Sequence, residues 1–532
     1  MNITLVIFVT VLAAYVLVAA GLTRFIKNRD DFYVMGEQGS TLLLTGTLAA
    51  TFLSAVTLMG IAGISYSEGP LVIGALGSFG AWLGTLIAVV WIGRKMKAME
   101  CRTMMDFFDR RFNNKWVSVV ALILMVIGLL GYGIIQLIGA GLVLAEIIDV
   151  PFPAIIIAFT FALMIFCSLS GMYGVVYTDT MMFFTMLAIA FVISPMLIGQ
   201  AGMENLRGLS DTLPGYWTLA GADDRALSWS ISQFLVWILF FACTPALVSR
   251  VFPAKNDFVI LKVAIIGVFF APAMQLMVYL AAGAMQVIQP GIEPADRAMI
   301  VGFMDHTNPV LAGVGLAGLM ASIMSTASTL FVLTGFALAR DLYEKLFEKK
   351  LSEQRSVLAG RISQVIVSII VCVIAIARPA GIYWISIYAG SIFAVAWLPT
   401  IVAAMQWRRT NAAAVLSCML VGSISFILLG ELERHALIAY PAGIDNLMMA
   451  FALGTITLVV MCVVRNPSGY EIERFEEMQG QRMAEITIGR FLDADSSGAT
   501  LIREYRRVWL ALFVMLAVAG GLWGYFFVQL GL

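Results

Sequence analysis

The segment GLMASIMSTASTLFVLTGFALARDLY carries Ser322, Ser325, Thr326, Ser328 and Thr329 close together in an otherwise apolar run. Spacings of three and four set Ser322, Ser325, Thr326 and Thr329 along one side of a helix. Hydroxyl oxygens, joined by backbone carbonyls freed at a helix interruption, are hard donors that suit a small hard cation. Hydroxyls of apolar helices also bond back to their own backbone, so the cluster by itself leaves both readings open. Elsewhere no nucleophile motif, phosphate-binding loop or paired-histidine zinc pattern stands out, so nothing points to an enzyme.

The surroundings make these hydroxyls informative. Of 532 residues, 61% are hydrophobic and 12% charged, against about 25% charged in soluble domains. Lys plus Arg equals Asp plus Glu at 33 each, so there is no basic excess to suggest a nucleic-acid partner. An apolar run of about 20 residues crosses a bilayer. Fourteen such runs are expected, centred near residues 13, 53, 82, 130, 160, 188, 237, 270, 324, 367, 394, 420, 453 and 519. The chain therefore reads as an all-α, multi-pass protein whose main partner is the lipid bilayer of a cell membrane. The first run has neither the basic leader nor the cleavage site of a signal peptide and is expected to be a retained helix. Alternate short loops hold the cations: Arg24 to Arg29, Arg94 to Lys115, Arg250 and Lys255, Arg340 to Arg355, then Arg408 and Arg409. Basic loops are cytoplasmic, which predicts both termini outside. The six cysteines show no metal-ligand spacing and read as buried structural thiols.

Two spans look interrupted. The second, TLLLTGTLAATFLSAVTLMGIAGISYSEG, has Gly46, Thr47, Thr51, Ser54 and Gly60 through its middle, and the seventh meets Thr244 and Pro245 near its end. Five spans separate their starts, the separation expected of two inverted five-helix repeats that each open on an unwound helix. The competing reading is that small residues only permit close helix packing.

Four stretches, in order along residues 41 to 345, carry a family resemblance: GTLAATFLSAVTLMGIAGISYSEG, SGMYGVVYTDTMMFF, TPALVSRVFPAKN, and LMASIMSTAST with FALARDLY. The chain resembles the sodium/solute symporter family. The resemblance implies a LeuT-type fold. It sets repeats over residues 41–203 and 204–407, with an extra helix and basic loop in 1–40, extra helices in 408–464, a loop in 465–507 and a last helix in 508–532. It implies one sodium held by the carbonyls of Ala50, Leu53 and Ser322 and the hydroxyls of Ser325 and Thr326. A second sodium, present in some members, would use Asp179, Ser325, Ser328 and Thr329. The rival reading for Asp179 is a plain charge at a helix start.

Gln136 in GYGIIQLIGAG matches a polar position that faces the substrate cavity in the family. Phe52 and Ser54 flank the break, and Trp237, Thr244, Trp384, Ser386 and Tyr388 are further candidates for lining the same space, against the rival that they only pack. Many sugar- and proline-carrying members have Asn or Asp where this chain has Phe52. AATFLSAVTLMG is closer to the branch carrying small monocarboxylates, vitamins and halide-like anions. No Arg or Lys is expected deep in a span, so sodium and exposed helix N-termini would have to meet a carboxylate. The implied function is sodium-coupled import of a small organic solute, foremost a monocarboxylate. An amino acid, sugar or vitamin is the alternative solute, and a transporter-like sensor the alternative class. In the polar loop, Asp493, Asp495, Ser497, Gly498 and Glu504 occupy positions of an EF-hand calcium loop, although Thr500 stands where a branched apolar residue is usual.

Overall fold

The computed structural model describes residues 3–25, 35–255, 257–338, 353–378, 380–440 and 444–486, together with 521 and 524. Ten helices among them are long and apolar enough to cross a membrane, or up to twelve when two bent pairs are each taken as one span. Phe152–Cys167 is a shorter apolar helix. The expected fourteen spans are thus not reached within the described residues. The run near residue 519 and the calcium-like loop of Asp493, Asp495, Ser497 and Glu504 lie outside them.

Ile3–Leu22 is α1. The first bent pair is α2, Thr41–Phe52, and α3, Val56–Ser67, which meet at 50°. Ser40 caps α2, its hydroxyl accepting from the Leu43 N–H. At Leu53 the backbone leaves helical geometry, with φ −86° and ψ 72°. The chain then restarts with the Ser54 hydroxyl accepting from the Val56 N–H, which replaces a bond the helix lost. Next come α4, Leu71–Ala98, α5, Met104–Phe112, α6, Lys115–Ile147, α7, Phe152–Cys167, and α8, Gly171–Ala201.

The second bent pair is α9, Leu227–Cys243, and α10, Pro245–Val251, meeting at 47°. Pro245 has no N–H to continue the ladder and forces Thr244 out of the helical region, to φ −65° and ψ 121°. The remaining elements are α11, Asp257–Ile288, α12, Ala298–His306, α13, Pro309–Phe336, α14, Glu353–Ile376, α15, Ile382–Gln406, α16, Ala412–Arg434, α17, Asn446–Val464, and α18, Gly469–Ile486. Helix α18 occupies part of the region expected to be a loop.

The span that carries the hydroxyl stripe is also the most enclosed among the described residues. In its apolar window α13 is 83% buried, whereas that of α1 is 22% buried. Helix α13 packs on α2, α6, α8 and α14. Close approach depends on small residues: a side chain at Gly46 of α2 would come within 2.7 Å of the Thr180 Cα in α8. Opposite faces are marked by ties between loops. On the basic-loop face the Lys97 ammonium donates to the Phe252 carbonyl, and buried Arg111 donates to the carbonyls of Ala404, Thr410 and Glu471. On the other face Arg225 pairs with Glu68, and Arg297 with Glu146.

Candidate ion and solute site

The break in α2/α3 faces the hydroxyl stripe of α13. Ala50, Leu53, Ser322, Ser325 and Thr326 are all buried. The last carbonyls of a helix have no partner within it, and Leu53 uses only that of Ala49. Ser322 donates its hydroxyl to the Leu319 carbonyl. The hydroxyls of Ser325 and Thr326 are buried with no completed hydrogen bond. Orphaned buried hydroxyls are costly, and here they stand beside interrupted backbone. Hard oxygens of both kinds suit a sodium ion.

The second expected set is arranged differently. Asp179 is buried in α8, and one of its carboxylate oxygens accepts from Thr47 at 2.6 Å and from Arg250 Nη2 at 3.0 Å. The rival view of Asp179 as an ordinary helix-start charge does not fit this burial. Arg250 also donates to the Thr51 hydroxyl at 2.7 and 2.9 Å and to the Thr329 hydroxyl. Ser328 and Thr329 both donate to the Ser325 carbonyl, at 3.0 and 2.9 Å. The expectation that no cation lies deep in a span is therefore corrected. Arg250 is 2% exposed, because α10 is too short to carry it out to the basic loop after the bend.

Above the break lies a small cavity of about 10 Å³, lined by Phe52, Val56, Thr57, Ile61, Gly77, Ser78, Ala81, Tyr132, Trp237, Phe241 and Gln275. Phe52 meets Phe241 edge to face at 5.2 Å between ring centres. The Ser54 hydroxyl lies 3.1 Å from that of Tyr132. Gln136 accepts from the Ala55 N–H at 3.5 Å, and its side-chain amide nitrogen, like Trp237 Nε1, is buried without a hydrogen bond. Thr244 donates to the Phe240 carbonyl and lines a neighbouring cavity with Thr51, Tyr132, Phe241 and Thr326. Ser386 is buried and donates to the Tyr383 carbonyl.

Trp384 and Tyr388 are not brought to this space. Each is 50% exposed, one helical turn apart on the outer face of α15, and Tyr388 stacks toward Phe426 of α16. The inner face of α15 carries Tyr383, which packs on Trp237 and donates to Gln233 at 2.5 Å. Residues not singled out in the sequence also converge here: Tyr132, Tyr383, Phe240, Phe241 and Gln275. A signal was available. Tyr132 precedes Gln136 by four, and Gln233, Trp237, Phe240 and Phe241 recur at helical spacing, so each set shares a face.

Two broken helices whose inner segments pack on each other and on a hydroxyl-bearing helix define a secondary transporter of the broken-helix class. The chain belongs to the sodium:solute symporter family, whose model matches residues 32–422. That family transports solutes and is not one of enzymes. The sodium/pantothenate symporter of Escherichia coli (strain K12) is 23% identical over 83% of this chain and 95% of its own. The sodium/proline symporter of the same strain is 22% identical over 89% and 95%. A substrate-bound, outward-open Na+-coupled sialic acid symporter superposes with a TM-score of 0.74 at 15% identity, covering 88% of this chain and 98% of its own. A nucleobase-cation symporter in a closed conformation gives a TM-score of 0.53 at 13% identity, over 85% and 99%. The fold is thus the LeuT-type inverted repeat.

Proposed function

We propose that this protein imports a small monocarboxylate or related organic anion together with sodium, by alternating access, with both termini outside the cell membrane. The observation that carries the reading is the pair of unpartnered hydroxyls, Ser325 and Thr326, buried against the break in α2/α3. An ion there ties α13 to the broken helix and favours the arrangement in which the cavity above binds solute. Ion and solute then bias one equilibrium, so each tightens the other. Each sodium contributes about 2.3 kcal/mol per 100 mV of membrane potential in addition to its gradient.

The cavity supports the solute class. Phe52 and Phe241 meet edge to face in its lining, where the hydrogen-bonding side chains are those of Thr57, Ser78, Tyr132, Trp237 and Gln275. A polyhydroxylated solute would leave hydroxyls unpaired at about 1–3 kcal/mol for each buried group. Pantothenate, proline and sialic acid, named for the relatives, share one carboxylate, which supports an organic acid. Arg250 is committed to Asp179, so the carboxylate is left to sodium, to Tyr132 and to the free amide of Gln136.

Two measurements test this. Thr326→Ala removes one ligand oxygen, and the sodium concentration for half-maximal uptake is expected to rise about tenfold, the equivalent of about 1.4 kcal/mol, with normal expression. Unchanged sodium dependence would remove the ion assignment. Competition against sodium-driven uptake by acetate, pyruvate, proline and glucose tests the solute class. Competition by proline or glucose alone would favour the amino-acid or sugar reading.

A further inference from the structure

The oxygens expected to hold a second sodium are already engaged by a cation of the protein itself. Arg250 Nη2 bonds Asp179 and the Thr329 hydroxyl, two of that set, and reaches Thr51 on the broken helix. Ser328 and Thr329 spend their protons on the Ser325 carbonyl. What is left is one Asp179 oxygen and the Ser325 hydroxyl, close together without completing a hydrogen bond, and the lone pairs of the Ser328 oxygen. Three side-chain oxygens do not complete a cage for a hard cation. Ser325 is, moreover, a ligand of the first site. Charge points the same way: Asp179 and Arg250 neutralise each other, and another cation between them would meet the guanidinium as a like charge in a dry interior.

We propose that Arg250 is a tethered cation standing in the place of the second ion, so that this transporter couples a single sodium to each solute. The inference deepens the symport reading above and rests on it. In this arrangement Arg250 does permanently what a second sodium does reversibly in other members, joining α2, α8 and α13 through Thr51, Asp179 and Thr329. Coupling one ion where two would fit lowers the accumulation limit to the square root of the two-ion value.

The test is equilibrium binding of radioactive sodium to the purified full-length protein, with choline as the balancing salt. The wild type is expected to saturate at one ion per chain, and Asp179→Asn to keep that stoichiometry. Arg250→Ala is expected to gain a second ion, lost again in the double variant with Asp179→Asn. Two ions on the wild type, falling to one in Asp179→Asn, would overturn the tethered-cation inference and leave symport standing. No saturable sodium binding at all would sink the symport reading and the inference with it. The wild-type and Asp179→Asn values decide the matter even if Arg250→Ala does not fold.

Discussion

The two broken helices are tied together twice, once on each side of their breaks, and the ties differ in wetness. On the inner halves, Arg250 of α10 meets Thr51 of α2 and Asp179 of α8, with both charged side chains at most 2% exposed. On the outer side, Glu68 at the end of α3 holds Arg225, just before α9, through two bonds of 2.6 and 2.9 Å. Those side chains are 13% and 22% exposed, and Arg225 also covers the Trp229 ring at 4.4 Å. Water can take over either partner of the outer pair when it parts. It cannot do so inside. The same pairing of charges thus serves as a fixed joint where it is dry and as a latch where it is wet.

Removing one partner from the inner joint is the severest way to break this contrast. Arg250→Ala leaves Asp179 as an uncompensated buried charge, at about 3–5 kcal/mol for a pair of this kind. In sodium-free buffer its thermal unfolding is expected well below that of the wild type. Added sodium should restore part of the loss, because an ion can then neutralise Asp179. A variant as stable as the wild type without sodium would show that the joint carries no such energy.

Glu68→Gln tests the latch and should do much less. A partly exposed ion pair contributes about 1 kcal/mol, so the outward-open population is expected to rise about fivefold with unfolding unchanged. All six native cysteines are buried, so Thr57→Cys, placed in the cavity, reports opening through its labelling rate by a membrane-impermeant thiol reagent. An unchanged rate would mean that Glu68 and Arg225 do not hold the outer face shut.

The fold was legible because its signals are chemical and local. Apolar runs, alternating basic loops, Pro245 and the small residues around Ser54 each mark a physical constraint that needs no partner. The hydroxyl stripe of α13 was legible for the same reason, since spacing alone puts Ser322, Ser325 and Thr326 on one face. What the sequence hid depended on direction. Arg250 follows a helix end and reads as one more basic-loop cation. Only the bend at Thr244 and Pro245 keeps it inside. Trp384 and Tyr383 are neighbours in sequence, yet Tyr383 is buried and Trp384 is half-exposed, and the packing of Gly390 against Phe240 fixes which side of α15 is inner.

The outer face carries a finer adjustment than the Glu68 latch. Asp296, in the 3-10 turn Ala295–Arg297, lies over α3 and accepts from the Ile382 N–H at the start of α15 at 3.4 Å. Gly63 of α3 permits the approach, since a side chain there would come within 3.0 Å of the Asp296 carboxylate. Its neighbour Arg297 is occupied by Glu146 at 2.7 Å. Burial pushes the Asp296 carboxyl up to about 6, against the lowering effect of the Ile382 N–H. The sign follows from which form burial disfavours. The ionised carboxylate is the costly one, so the closed arrangement is most favoured when Asp296 is protonated and loses ground as pH rises from about 4 through about 6. Once the turn lifts, water restores the ordinary carboxylate value. Lowering the outer pH from 7.5 to 6.0 brings the buried group to half protonation and should favour closure about twofold. The labelling rate of Thr57→Cys is therefore expected to fall by about half over that range. Asp296→Asn should remove the dependence while leaving the rate near the acidic value. A rate that rises on acidification, or an unchanged pH dependence in Asp296→Asn, would assign the effect to another group.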